Sequence, residues 1–366
     1  MSKARRHIIP FFIPMQGCAY RCVYCDQQSI SGQTEAPTPH QIEREALAYS
    51  GPCPAQAAFY GGSFTALPAH TQEAYLKAVQ PARQRGLIDS IRISTRPDAI
   101  DAVTLKRLVS YGVTTVELGI QSFDIQVLQA SGRAYGRETA RHACLSVRQA
   151  GLELGIQLMT GLPQDTPQKS LSSMGQSCGL GADFLRIYPT LVLQNTPLAR
   201  LYDQGLYQPQ ELAKAIQLCA NMLALALARG IPVIRLGLNP SPSLERALVA
   251  GPYHPAFGQL VRGALKLQQA FMLLEKAGSE AVLLAFPKQE RPLLYGQKNE
   301  QWAKLQERSP GLAAREAQGL SPGSLQAQLS NGKTITLTER DFLSLYTKIS
   351  VAELPFSAKN IDLPNI

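Results

Sequence analysis

Between residues 7 and 188 the chain repeats one pattern six times: a short apolar run, a turn, then a stretch of helical period. The apolar runs fall at 7–14, 57–62, 90–95, 113–120, 152–160 and 183–188. The first helix is expected after Thr38, with Pro39 in its first turn and Ile42, Ala46 and Leu47 as its apolar stripe. Others are expected over 69–85, 101–111, 124–130 and 138–150, with a weaker Ser-rich helix after Pro167. Six such units imply a parallel sheet covered by helices and joined by right-handed crossovers. Periodicity does not choose between an open doubly wound sheet and a barrel.

Past Leu193 the pattern changes. A long amphipathic helix is expected over 209–229 and a short strand over 231–238. Residues 239–254, rich in Pro, Ser and Gly, read as a loop or boundary. A helix (256–277), a strand (281–286), a helix near 300–307 and a β-pair near 326–337 then make a small α+β region.

Cys18-Ala19-Tyr20-Arg21-Cys22-Val23-Tyr24-Cys25 follows directly on the first apolar run. Three thiols at C-x3-C-x2-C spacing suit an iron–sulfur cluster with one iron left open. A structural zinc site wants four ligands, and no second pair or nearby histidine completes it here. The seven cysteines are an odd number in a long chain and do not read as a disulfide framework, which points to a reducing cytoplasm.

The chain has 366 residues, 45% apolar and 17% charged, in the range of an ordinary globular protein. Its formal charge of +9 suits an anionic partner such as nucleic acid, and a solvated basic surface equally. Lys3, Arg5 and Arg6 are candidate phosphate contacts. The run 8–15 behind them is broken by Pro10 and Pro14 and lacks a small-residue cleavage site, so it does not read as a signal peptide. No apolar stretch approaches the roughly 20 residues needed to span a bilayer.

Residues just past each apolar run are candidate ligands if the strands share one sheet. Gly61-Gly62-Ser63 lets backbone approach a ligand closely, and a plain turn would use the same residues. Ser94-Thr95-Arg96 offers hydroxyls and a guanidinium, or equally an N-cap with proline punctuation. Alternation sends Glu117, Gly119 and Gln121 to one face, where an acid and an amide need partners. Gln157 and Tyr188 stand at the ends of the fifth and sixth runs.

The cysteine spacing, with Tyr24 before the third thiol, resembles the signature of the radical S-adenosylmethionine (radical SAM) enzymes. That resemblance implies a partial (β/α)6 TIM-like barrel, with chemistry at the C-terminal ends of the strands. It implies a [4Fe-4S] cluster on Cys18, Cys22 and Cys25, whose open iron is chelated by S-adenosylmethionine before reductive cleavage to a 5′-deoxyadenosyl radical. Gly61, Gly62 and Ser63 are similar to the family's Gly-Gly-Glu motif at the methionine end, with Ser63 in place of the acid. Ser94, Thr95 and Arg96 would meet the ribose and carboxylate, Gln121 and Arg133 the same ligand, and Glu117, Gln157 and Tyr188 the substrate.

In order, Gly61 to Thr65, Ser94 to Asp98, Val116 to Ser122 and Arg186 to Val192 are similar to the radical SAM portion of the Elongator catalytic subunit. Thr196-Pro197-Leu198 and Gly205-Leu206-Tyr207 extend the likeness, which covers roughly residues 7–238. It implies tRNA, modified at the wobble uridine, as partner, and a flavodoxin- or ferredoxin-type electron donor. Residues 239–366 show no acetyl-CoA-binding pattern, and Ser94 stands where that subunit carries an acid, so a short relative without the acetyltransferase domain is expected. The organisation expected is a partial barrel over 1–208, a helix–strand extension and boundary loop over 209–254, and the α+β region over 255–366.

Two other readings remain. Ser122-Phe123-Asp124 is also similar to relatives of the oxygen-independent coproporphyrinogen oxidase, which would make the substrate a small molecule such as a porphyrinogen. A non-catalytic iron–sulfur or zinc module would need the cysteines alone.

Overall fold

The computed structural model describes residues 7–14, 16–18, 21–33 and 35–347. Strand β1 (Ile8–Phe12) leads into the cysteine loop, followed by α1 (Gln27–Ser31) and α2 (Pro39–Leu47). The start of α2 is set locally: Thr38 and Gln41 form a reciprocal capping box and Pro39 fills the first turn. The alternation continues with β2 (Ala55–Tyr60), α3 (Ala69–Gln84), β3 (Ile88–Thr95), α4 (Ala102–Ser110) and β4 (Val113–Gln121). Asp101 caps α4 and Asp124 caps α5 (Ile125–Ala130). Then come α6 (Arg137–Gln149), β5 (Glu153–Thr160), α7 (Pro167–Gly179) and β6 (Phe184–Pro189).

These strands lie in sequence order in one parallel sheet, whose far edge is a seventh strand. After β7 (Val192–Leu193), α8 (Pro197–Asp203) and α9 (Leu212–Ala228), β8 (Val233–Leu236) returns to pair parallel with β6. The strand expected beyond the barrel is therefore part of it. β1 and β8 are not paired with each other, so the sheet curls into an open half-barrel.

Strict alternation divides the strand residues. Ile91 and Ile93, Val116 and Leu118, and Leu185 and Ile187 face the helices and are fully buried. Their neighbours Arg92, Glu117 and Arg186 face the concave side, so the lumen is polar where the helix-facing core is apolar.

The segment expected as a loop over 239–254 contains α10 (Pro242–Ala247) and β9 (Leu248–Ala250), which pairs antiparallel with β7. Its Asn-Pro-Ser-Pro run reads as a breaker, yet Ser241 accepts from the Leu244 N–H at 3.1 Å and Pro242 takes the first helical position. Leu244, fully buried among Leu191, Leu193 and Ile30, supplies the apolar contact that holds the turn of helix.

The chain then runs through α11 (Phe257–Ala277), β10 (Ala281–Phe286), α12 (Arg291–Tyr295), α13 (Glu300–Arg308), β11 (Ala313–Glu316), β12 (Leu325–Leu329), β13 (Thr334–Leu337) and α14 (Glu339–Thr347). A second sheet, ordered β11-β10-β12-β13, packs on α11, and α11 packs on α9. Lys266, 6% exposed on α11, is neutralised by Glu290 at 3.0 Å. Among the described residues no helix is long and apolar enough to cross a membrane.

Candidate active site

The concave face of the half-barrel encloses a cavity of about 1780 Å³. Every residue singled out from the sequence as a ligand or catalytic candidate lines it: the three cysteines, Gly61 to Ser63, Ser94 to Arg96, Gln121, Arg133, Glu117, Gln157 and Tyr188. Lys3, Arg5 and Arg6 lie outside the described residues.

The cysteine loop is held from three sides. The Val23 N–H donates to Ser131 O at 3.1 Å, and the Leu198 N–H donates to Val23 O at 2.8 Å. Val23 and Tyr24 pack on Val192, Leu198 and Tyr207, and the Tyr207 hydroxyl donates to Gly161 O at 2.6 Å. Thr196-Pro197-Leu198 and Gly205-Leu206-Tyr207 thus sit in the wall behind the cysteines. All three thiols are half-buried and free. Burial, then repulsion from Cys22 and Cys18, pushes the Cys25 thiol up to about 12. Cys18 is raised by burial and by Cys22, against the pull of Arg96 and Arg133.

Beneath the loop, the Ser63 N–H donates to Gln16 O at 2.8 Å. A Cβ on Gly62 would overlap the Gln16 carbonyl oxygen and come 2.6 Å from Ile13 O. Gly62 is therefore required first by the close passage of the cysteine loop's own backbone. The Ser63 hydroxyl accepts from the Arg96 N–H at 3.1 Å and lies 2.9 Å from the Thr95 hydroxyl. Thr95 Oγ1 also lies 2.6 Å from that of Thr65. Both hydroxyls are thus bound within the protein, tying the end of β2 to the end of β3. Ser94 Oγ, by contrast, is buried without a hydrogen-bond partner.

On β4, Gln121 reaches the cavity through an irregularity, with φ at +67° and a register shift after Gly119. A non-glycine residue in this region is strained, and such strain gathers at functional sites. Gln157 donates to Gln121 Oε1 at 3.3 Å. Arg133 donates to Gly119 O at 2.5 Å and to the Tyr135 hydroxyl.

Deeper in the lumen Glu117, 2% exposed, lies 3.2 Å from Arg186 Nε and 3.8 Å from Arg92 Nη1. Burial pushes its carboxyl up, opposed by Arg186 and Arg92. Arg186 also reaches the hydroxyls of Tyr60 at 3.2 Å and Tyr188 at 3.4 Å. Arg92 and Tyr60 were not singled out from the sequence, and Arg186 entered only as the start of a motif, with no role. Counting back two residues from Ser94 and from Tyr188 along each strand would have found both arginines.

The donor set can be tested against a metal group. Among the described residues no three His, Cys, Asp or Glu side chains converge to hold a single metal ion. Three soft thiols around one cavity, with Cys22 close enough to raise the proton affinity of Cys18 and Cys25, suit an iron–sulfur cluster, whose irons spread the cysteine ligands apart.

Residues 12–171 match the family model of the Radical SAM superfamily, and residues 182–266 that of the Radical_SAM C-terminal domain. The tRNA uridine(34) acetyltransferase of Dehalococcoides mccartyi (strain CBDB1) is 28% identical over 164 residues, covering 42% of this chain and 36% of that protein. Elongator complex protein 3 of Dictyostelium discoideum is 27% identical over 164 residues, covering 44% of this chain and 29% of that protein. The matched stretch thus spans about a third of the length of these relatives. The structure of the archaeal Methanocaldococcus infernus Elp3 with an N-terminal deletion superposes with a TM-score of 0.55 at 18% identity, over 74% of this chain and 62% of that one. The last likeness is one of fold.

Proposed function

This chain belongs to the radical SAM superfamily, and we propose that it is an RNA-modifying member acting on the wobble uridine of tRNA. It is an enzyme, and the cofactors of its superfamily are a [4Fe-4S] cluster and S-adenosylmethionine. When bound, the cluster supplies one electron to the sulfonium, and the bond broken there supplies the radical that takes a hydrogen atom from the substrate.

In this reading Cys18, Cys22 and Cys25 give up their protons to hold the cluster. The backbone of Gly61 to Ser63 meets the methionine end, since the Ser63 side chain is already engaged by Thr95 and Arg96. The unpartnered Ser94 hydroxyl and Arg96 face the ribose and carboxylate. Thr95 braces them, its hydroxyl engaged by Ser63 and Thr65. Gln121 at the end of β4 and Arg133 beyond α5 approach the same ligand. Glu117, Gln157 and Tyr188 orient the substrate, each held by a neighbour before it arrives. A reduced flavodoxin- or ferredoxin-type protein provides the electron, and the reducing cytoplasm is the setting.

One observation carries the reading: residues from separate strand ends face a single cavity roofed by the cysteine loop. The names of the relatives supply tRNA uridine 34 as substrate. The acetyl transfer in those names is not extended to this chain, because the matched stretch is about a third of each relative. Anaerobically reconstituted protein, given S-adenosylmethionine and strong reductant with and without bulk tRNA, provides the test. Release of 5′-deoxyadenosine that rises with tRNA, and a new nucleoside by mass spectrometry, are expected. No deoxyadenosine at all sinks the cofactor roles. Deoxyadenosine with no change in any tRNA sinks the RNA assignment alone.

A further inference from the structure

Below the rim, three guanidinium groups cross the lumen in one band: Arg92 on β3, Arg186 on β6 and Arg235 on β8. Arg186 and Arg235 are register partners on adjacent strands. Glu117 is the carboxylate that meets the band, touching Arg92 and Arg186. Among the described residues Glu117 is the one carboxylate in ion-pair contact with these three cations, and Arg235 pairs with no acid. Asp89, Glu153 and Asp183 also line the cavity, with contacts away from the band: Asp89 accepts from Ser90 Oγ, Glu153 from Thr115 Oγ1, and Asp183 from the Leu154 N–H and pairs with Arg148 at 3.5 Å.

The donors are not used up either. Arg92 is 8% exposed, yet its Nε has no hydrogen-bond partner, and its Nη1 and Arg186 Nε meet only Glu117, at 3.8 and 3.2 Å and without hydrogen-bond geometry. Buried donors without acceptors are costly, and a buried guanidinium short of counter-charge more so. Arg92 is nonetheless held in place: its guanidinium lies 4.6 Å from the centre of the Phe184 ring, and that ring occupies the space a side chain at Gly155 would take. The band is cationic, and Arg92 within it is short of acceptors.

We propose that this band is a subsite for an oxyanion, a carboxylate or a phosphate group carried by the molecule the enzyme acts on. Planar guanidinium forks match either group, and the lumen supplies the low-dielectric wall that strengthens the contact. The proposal rests on the radical SAM reading only in calling that molecule a substrate. Anion binding itself is read without turnover, so its failure is separable from failure of S-adenosylmethionine cleavage.

The test uses the full-length, cluster-loaded protein saturated with S-adenosylmethionine, so that the cofactor's own carboxylate is already placed. Inorganic phosphate is titrated in one arm and malonate in another, at ionic strength held constant with sodium chloride, and the thermal midpoint is followed. A saturable rise is expected in one arm, phosphate pointing to a phosphoryl-bearing molecule and malonate to a carboxylate-bearing one. Arg235→Gln is expected to weaken that response about tenfold, the loss of one charged hydrogen-bonding partner. It lies on the edge strand outside the Glu117 pair, so its removal does not strand Glu117. Arg141→Gln, an equal loss of charge on an exposed face of α6, should leave the titration unchanged. Should Arg235→Gln fail to fold, Arg235→Lys keeps the charge without the fork, and an unaltered titration in it overturns the proposal. So does the lack of any saturable response, a response indifferent to Arg235→Gln, or one that S-adenosylmethionine abolishes, which would assign the arginines to the cofactor's carboxylate.

Discussion

Arg186 Nε lies 3.2 Å from Glu117 Oε2, although β5 runs between their two strands. The pair bridges two strand spacings over the concave face, and at that level β5 carries Gly155 opposite Glu117. Glu117→Gln removes the carboxylate that Arg92 and Arg186 share. A loss of about 3 kcal/mol in stability is expected, as for a buried pair deprived of one partner. Urea denaturation measures it, and iron content should remain that of the wild type because the change is remote from the thiols.

The two-glycine turn can be separated from glycines that merely end helices. Gly62→Ala would force the backbone between Ile13 and Gln16 to move, and Cys18 follows directly on that segment. Iron and sulfide loading should fall sharply while the far-ultraviolet circular dichroism is kept. Gly86→Ala, at φ +70° with open space around it, should cost about 1 kcal/mol and leave loading unchanged.

Thr95 sits at the junction of two strand ends. Thr95→Val removes the hydroxyl shared with Ser63 and Thr65 and the acceptor for the Thr65 N–H. Stability should drop by about 2 kcal/mol. Equilibrium binding of S-adenosylmethionine to the cluster-loaded variant should weaken, because the Gly61-Gly62-Ser63 turn loses its tie to β3.

The cysteines divide into two chemical classes. Cys22→Ala should abolish the brown colour and S-adenosylmethionine cleavage with little change in stability, since the thiol is half-buried on a loop. Cys219→Ala, fully buried in α9, should cost about 1 kcal/mol and keep the colour. Visible absorbance and denaturant midpoints together check both.

Asp165 should govern part of the acid response. Burial pushes its carboxyl up from 3.8 to about 6, against hydrogen bonds from Ser170, Gly161 and Thr166. A raised folded-state value means that the native protein holds a proton the unfolded chain has lost. The resulting stabilisation is full below pH 3.8 and disappears as pH rises through about 6. Relative to Asp165→Asn, the wild type should lose at most about 3 kcal/mol across that window, at about 1.36 kcal/mol per unit. Denaturation series at several pH values give the slope, and a wild type that gains stability relative to Asp165→Asn as pH rises would contradict the assignment.

Much of the barrel was legible because each unit carries its own punctuation. Thr38, Asp101 and Asp124 cap the helices that their positions suggest, and the strands follow the apolar runs. Alternation also put Glu117, Gly119 and Gln121 on the lumen side, but it gave no hint that Gln121 arrives through a kinked, left-handed residue. What escaped was long-range. Val233 to Leu236 is short, and nothing local says that it pairs with a strand some 45 residues earlier. Ser241 and Pro242 are ambiguous until Leu244 finds its buried neighbours. The hydroxyls of Ser63 and Thr95, read as ligands, turn out to be spoken for by each other, a distinction that only coordinates draw.

The packing of Leu244 against Ile30, Leu191 and Leu193 bears on when the cofactor is loaded. The thiols are translated well before β9, which completes the wall behind them and ends at Ala250. A nascent chain shorter than that presents its three sulfurs to solvent without this shelter. Cluster insertion is therefore best matched to a chain already translated past that residue, and assembly factors would meet a nearly complete barrel rather than a bare peptide.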